Sequence, residues 1–175
     1  MIISLTGFMG CGKSSVGRRL SELLCCRFID LDQAIEEKAG KRIPEIFSSE
    51  GEASFRTLEK ETLAEIMDMD QAGSTLVLAL GGGAIMQAES ERMITERSRC
   101  IYLKASVDTL MSHLANEASG RPLLAGNKDL SALRARICEL MELRAATYER
   151  CAAAIVITDD KSIEAISHEI IDIIK

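Results

Sequence analysis

The chain has 175 residues, 47% of them hydrophobic and 27% charged, a balance that suits one soluble domain able to bury a sizeable core. Its net charge of −6 without a basic block argues against a nucleic acid held through its phosphates, and 3% aromatics with no Trp argues against base stacking. No apolar run is long enough to cross a bilayer, and the six cysteines form no C-x-x-C pair, so the expectation is a reduced, cytoplasmic protein without membrane contact.

The first predicted strand, Ile2–Thr6, is a short apolar run rich in β-branched residues that begins too early to leave room for a secretory leader. Gly7-Phe8-Met9-Gly10-Cys11-Gly12-Lys13-Ser14 follows it and matches G-x-x-x-x-G-K-[ST], the phosphate-binding loop. A helix with Val16, Leu20, Leu23 and Leu24 at helical spacing comes next. Loop N–H groups at a helix N-terminus favour an anion, Lys13 reaches the β/γ-phosphates, and the Ser14 hydroxyl suits Mg²⁺. The motif in this setting predicts a nucleoside triphosphate site. Cys11, inside the loop and near a helix N-terminus, is expected to be a more acidic thiol whose modification blocks nucleotide.

The second strand, Phe28–Leu31, ends in Asp30-Leu31-Asp32, with a helix predicted from Asp32 to Ala39. One carboxylate there can hold a metal and the other accept a proton, while capping of the helix by Asp32 is an equally good reading of the pattern alone. Gly40 to Gly51, with Pro44 inside it, breaks the regular pattern and reads as a short insertion. The charge-rich helix Ser54–Met69 contains Arg56, which by itself also reads as a solvated surface charge. The third strand, Thr75–Leu80, runs into Gly81-Gly82-Gly83, where backbone N–H groups can approach a ligand with no side chain in the way.

The second half continues with helix Ala88–Glu96, strand Cys100–Lys104 and helix Val107–Ala115. A glycine-bounded loop, Gly120 to Asn127, carries the cation Arg121 and suits a mobile cover. Helix Leu130–Cys151, strand Ala154–Thr158 and helix Ser162–Ile174 complete the chain, the last with an Ile163, Ile166, Ile170, Ile174 stripe. Strands alternating with helices predict a doubly wound α/β/α sandwich around a five-stranded parallel sheet, as one domain over residues 1–175. Two acids and a glycine cradle at strand ends together suit a small anionic or polyhydroxy acceptor. A kinase for another such acceptor, such as gluconate, and a nucleotide switch that transfers nothing are the alternatives weighed. The former gives no reason for the glycine triplet to occur together with Arg56 and Arg144, and the latter lacks an effector element.

Six blocks in order make the chain resemble the shikimate kinase family over essentially its whole length. They are Gly7 to Ser14, Asp30-Leu31-Asp32, Glu50 to Glu59, Leu80 to Ala84, Arg121 to Gly126 and Arg144 to Tyr148. The resemblance implies a fold of the nucleoside-monophosphate-kinase type and transfer of the γ-phosphoryl of ATP to the 3-hydroxyl of shikimate, with Mg²⁺. By position it implies ATP contacts from Gly10, Cys11, Gly12, Lys13, Ser14, Ser15 and Arg121, and a metal held by Ser14 and Asp30. It makes Asp32 the shikimate-binding base, with Lys13 and Arg121 as its catalytic partners. Arg56, Arg144 and Gly81, Gly82 and Gly83 would hold the rest of shikimate within a substrate region at 32–60, Glu59 would help set that corner, and residues 116–128 would form the lid. Two departures stand out. Leu31 replaces a small hydroxyl residue and should turn into the core. Where the family commonly stacks an arginine on adenine, this chain has His113 or Leu114, and both His113 and His168 read as surface residues. The expected assembly is a monomer.

Overall fold

The computed structural model describes residues 1–69, 74–114 and 129–175. Its five strands are β1 (Ile2–Thr6), β2 (Arg27–Asp30), β3 (Leu76–Ala79), β4 (Arg99–Lys104) and β5 (Ala154–Ile157). All pair in parallel in the order β2-β3-β1-β4-β5. β1 is central and buried along its whole length, which explains why Ile2, Ile3 and Leu5 stand so close together in it. The expected three-layer α/β sandwich is therefore the observed one.

Among the described residues, seven α-helices flank the sheet: α1 (Lys13–Leu23), α2 (Leu31–Ala39), α3 (Ile43–Asp68), α4 (Ala88–Arg97), α5 (Val107–Leu114), α6 (Leu130–Cys151) and α7 (Ile163–Ile174). On one face Val16, Leu20, Ile166 and Ile170 pack against Ile3, Leu5, Ile101 and Val156. On the other, Leu31, Ile35, Phe55 and Leu63 pack against Ile2, Leu78 and Tyr102. Each fully buried Leu or Ile contributes about 1.5–3 kcal/mol. The tertiary fold draws its stability from these two layers rather than from any single helix.

Three local expectations need correction. Strand β2 stops one residue earlier than its apolar pattern suggests, because Asp30 caps α2: its Oδ1 accepts from the N–H groups of Asp32 (3.1 Å) and Gln33 (3.4 Å). The cap is Asp30, and Asp32 sits in the first turn. Leu31 is fully buried, as expected. Second, the segment read as an insertion from Gly40 to Gly51 is largely helical. Gly40, at φ 64°, closes α2, and α3 starts at Ile43 with Pro44 in its first turn, where a missing N–H leaves no bond unmade. Third, Ser54–Met69 is not a separate helix but the continuation of α3 beyond a break at Gly51 (φ 83°, ψ 169°), a conformation open to glycine. The end of the predicted helix at Ala115 and the whole 116–128 segment, Arg121 included, lie outside the described residues.

The sheet decides where chemistry can gather. Its register sets Leu5, Ala79 and Asp30 in one row across β1, β3 and β2. The residues that follow each of them emerge at the same carboxyl edge, at the point where chain connections diverge to the two sides of β1.

Candidate active site

A cleft of about 1270 Å³ runs along that edge. The phosphate loop forms its middle. Gly12 takes φ 94° at the N-cap of α1, and Gly10 takes φ 83° beneath Leu114, whose Cγ would lie 2.8 Å from any added Cβ. A larger residue at Gly10 would have to displace the buried Leu114 side chain and take a positive φ that L residues rarely adopt. Lys13 is buried and donates from Nζ to the carbonyls of Gly7 (2.9 Å) and Phe8 (3.0 Å). Ser14 and Ser15 are exposed along the cleft. Cys11 is buried in the core beneath the loop with its Sγ 3.9 Å from Lys13 Nζ, so its thiol does not stand open to solvent.

Ser14 and Asp30 meet directly: the hydroxyl donates to Oδ2 across 2.5 Å. Two hard oxygen donors side by side at the phosphate end of the cleft fit Mg²⁺, which takes few protein ligands and fills the rest with phosphate and water.

The glycine turn after β3 forms the wall opposite α1. Each of its residues is glycine for a steric reason that points to a different neighbour. A Cβ on Gly81 would lie 2.6 Å from Asp32 Oδ1 and 3.2 Å from Glu59 Oε1; on Gly82, 3.2 Å from the Met9 backbone nitrogen; on Gly83, 2.7 Å from Arg56 Nη1. Asp32, the phosphate loop and Arg56 thus all press against one three-residue turn.

Arg56 is not a solvated surface charge. Its Nη1 donates to Glu59 Oε2 (2.8 Å), its Nη2 donates to Glu52 Oε1 (3.2 Å), and it lines the cleft. Burial opposes its charge, but Glu59 and Glu52 outweigh that and raise its pKa. Glu59 is 1% exposed; burial pushes its carboxyl pKa up, and the charge of Arg56 with the Gln87 amide (3.4 Å) pulls only part of the way back. Arg144 comes from α6, distant in sequence, and is also buried, with Nη1 donating to the Gly82 carbonyl at 3.2 Å. Its guanidinium lies 5.9 Å from the centre of the Phe8 ring in the phosphate loop. Two cationic forks therefore flank the glycine turn, a corner shaped for a carboxylate.

Several participants were not foreseen. His113 is exposed, as expected, but it also lines the cleft and donates from Nδ1 to the Gly10 carbonyl (2.7 Å), tying α5 to the phosphate loop. Lys161, Ser162 and Ile163 line the far end beyond the loop, and Pro44 and Phe47 the acceptor end. A three-residue glycine turn gives a local signal that sequence can show. A wall made from the start of α7 gives none, because only the folded sheet brings it there.

A fold that leads β1 into this loop, and gathers an acid from α2 and arginines from α3 and α6 at one cleft, is that of a P-loop small-molecule kinase of the nucleoside-monophosphate-kinase type. Comparison with known proteins narrows the class. The chain belongs to the shikimate kinase family, whose profile, described as Shikimate kinase, matches residues 9–175. It is 40% identical over 172 residues to the shikimate kinase of Dictyoglomus turgidum, covering 97% of this chain and 95% of that protein. It is also 40% identical over 170 residues to the enzyme of Thermus thermophilus, covering 97% and 88%. The shikimate kinase of Acinetobacter baumannii, solved in complex with shikimate, superposes with a TM-score of 0.91 at 35% identity, covering 99% of this chain and 92% of that one. Membership of this family makes the protein an ATP-dependent kinase.

Proposed function

We propose that this chain, as one domain, transfers the γ-phosphoryl of ATP to the 3-hydroxyl of shikimate, giving ADP and shikimate 3-phosphate. The observation that carries this reading is the convergence of Arg56, Arg144 and Asp32 on Gly81 to Gly83, directly beside the phosphate loop. Gly10, Cys11, Gly12, Lys13, Ser14 and Ser15 take the phosphates of ATP through backbone N–H groups, the Lys13 ammonium and the serine hydroxyls. On binding, Lys13 exchanges the Gly7 and Phe8 carbonyls for phosphate oxygens. Arg56 and Arg144 clamp the carboxylate of shikimate, with the backbone of Gly81 to Gly83 beside it. This orients the ring so that its hydroxyls reach Asp32.

Asp32 accepts the proton of the 3-hydroxyl as that oxygen bonds to the γ-phosphorus, and the bond to the β–γ bridging oxygen breaks with ADP as leaving group. Ser14 and Asp30 would hold Mg²⁺, which when bound neutralises charge on the phosphates. Arg121 is assigned to the transferring phosphoryl by its position in the sequence. No helix among the described residues is long and apolar enough to cross a membrane. We read the protein as a cytoplasmic monomer.

A coupled assay of ADP release with ATP and Mg²⁺, run with and without shikimate, tests this reading. Release that depends on shikimate supports it. ATP binding without that dependence would overturn the acceptor assignment.

A further inference from the structure

Tyr148 has no part in the scheme above, yet it reaches the same glycine turn. It is 1% exposed, lies one helical turn beyond Arg144 on α6, and stacks on Tyr102 of β4 with ring centres 5.1 Å apart. Its hydroxyl donates to the Gly82 carbonyl, the same oxygen that accepts from Arg144 Nη1. Both lone pairs of that carbonyl are therefore engaged from the α6 side.

A planar trans peptide points its C=O and the next N–H in opposite directions. With the Gly82 carbonyl drawn toward α6, the Gly83 N–H is turned away from it. We propose that Tyr148 is a positioning residue for the acceptor, whose hydroxyl, sharing the Gly82 carbonyl with Arg144, holds the glycine turn and that guanidinium in the arrangement that meets the acceptor's carboxylate. This rests on the reading of the cleft as a shikimate kinase site. Tyr148 suits the task because stacking against the sheet fixes its ring, and burial pushes its pKa up, so the hydroxyl stays a donor through the neutral range.

Tyr148→Phe removes only the hydroxyl. It is expected to raise the KM for shikimate about tenfold, the scale of one hydrogen bond at a charged site, with the KM for ATP unchanged and kcat within about twofold. Tyr102→Phe takes a hydroxyl from the same stacked pair and should leave the KM for shikimate at its wild-type value. An unchanged KM for shikimate in Tyr148→Phe, or equal rises in both KM values, would overturn the inference. Should that variant fail to fold, the wild-type protein decides. The chain holds two tyrosines, so uniform 3-fluorotyrosine labelling yields two ¹⁹F resonances, which Tyr102→Phe assigns. Shikimate should shift the Tyr148 resonance and ATP alone should not; no shift with shikimate refutes the role. Absence of shikimate-dependent ADP release by the wild type would overturn the functional reading and this inference with it. Normal wild-type turnover beside a null result for Tyr148 removes the inference alone.

Discussion

Ser14 Oγ and Asp30 Oδ2 are joined across 2.5 Å, linking the first turn of α1 to the end of β2 over the carboxyl edge of the sheet. Asp30 has two jobs at this spot. Its Oδ2 faces the serine and its Oδ1 caps α2.

The two jobs can be separated. Asp30→Asn keeps an acceptor for the cap but loses the charge. It should melt near the wild-type temperature and need more Mg²⁺, with apparent metal affinity or activity down about 10–100-fold. Asp30→Ala should add a stability loss of about 1 kcal/mol from the lost cap. Mg²⁺ titrations of activity and thermal melts of both variants check this.

Asp32→Asn should lower kcat by about 10²–10⁴-fold, the usual contribution of a positioned base, while ATP affinity measured by calorimetry stays at the wild-type level. Normal turnover would remove Asp32 from the mechanism.

The glycine turn should respond residue by residue. In Gly82→Ala the new methyl meets the Met9 backbone, which cannot swing aside, so the KM for ATP should rise. In Gly83→Ala it meets the end of the Arg56 side chain, which can move, so the protein should fold and bind ATP normally. Its shikimate affinity should fall by about 1.5–3 kcal/mol, the worth of a charged hydrogen bond. Steady-state kinetics with each substrate varied in turn distinguishes the two.

Arg144→Ala should weaken shikimate binding by about 1.5–3 kcal/mol. Arg144→Lys should restore little of it, because an ammonium lacks the planar fork. Equilibrium binding of shikimate to both variants provides the measurement.

Glu59 sets a pH dependence of stability. Burial raises its folded pKa above the ordinary 4.5, against the pull of Arg56. The folded state therefore holds the proton more tightly than the unfolded chain does. Its contribution is fully present below that ordinary value and is lost as pH rises through the folded pKa. Glu59→Gln cannot carry the charge, so its melting temperature relative to wild type should climb between pH 4 and pH 7. A constant difference across that range would show that the charge of Glu59 is not what the fold bears.

The amino-acid sequence by itself determined the parts whose chemistry is local. The phosphate loop, the glycine triplet and the buried strand β1 each carry their signature in a few adjacent residues, and strands alternating with helices dictated the parallel sandwich. Short-range pattern also set its limits. Pro44 and Gly51 read as breakers of helix, yet the first sits in the opening turn of α3 and the second only interrupts it. Likewise the pattern offered Asp32 as the cap, until β2 ended at Asp30 and the Asp30 carboxylate took the N–H groups of α2.

What only the tertiary structure decided is which residues meet. Arg56 reads as one charge among many on a polar helix, and nothing within a helical turn of Arg144 says that it faces Gly82. Their meeting follows from the parallel register that levels Leu5, Ala79 and Asp30, and from the burial of α3 and the C-terminal end of α6 in the same core layer. The strand order places those three strand ends side by side. Hydrophobic packing is non-directional and sums over the whole core, so such contacts between residues far apart in sequence leave no local trace in the chain.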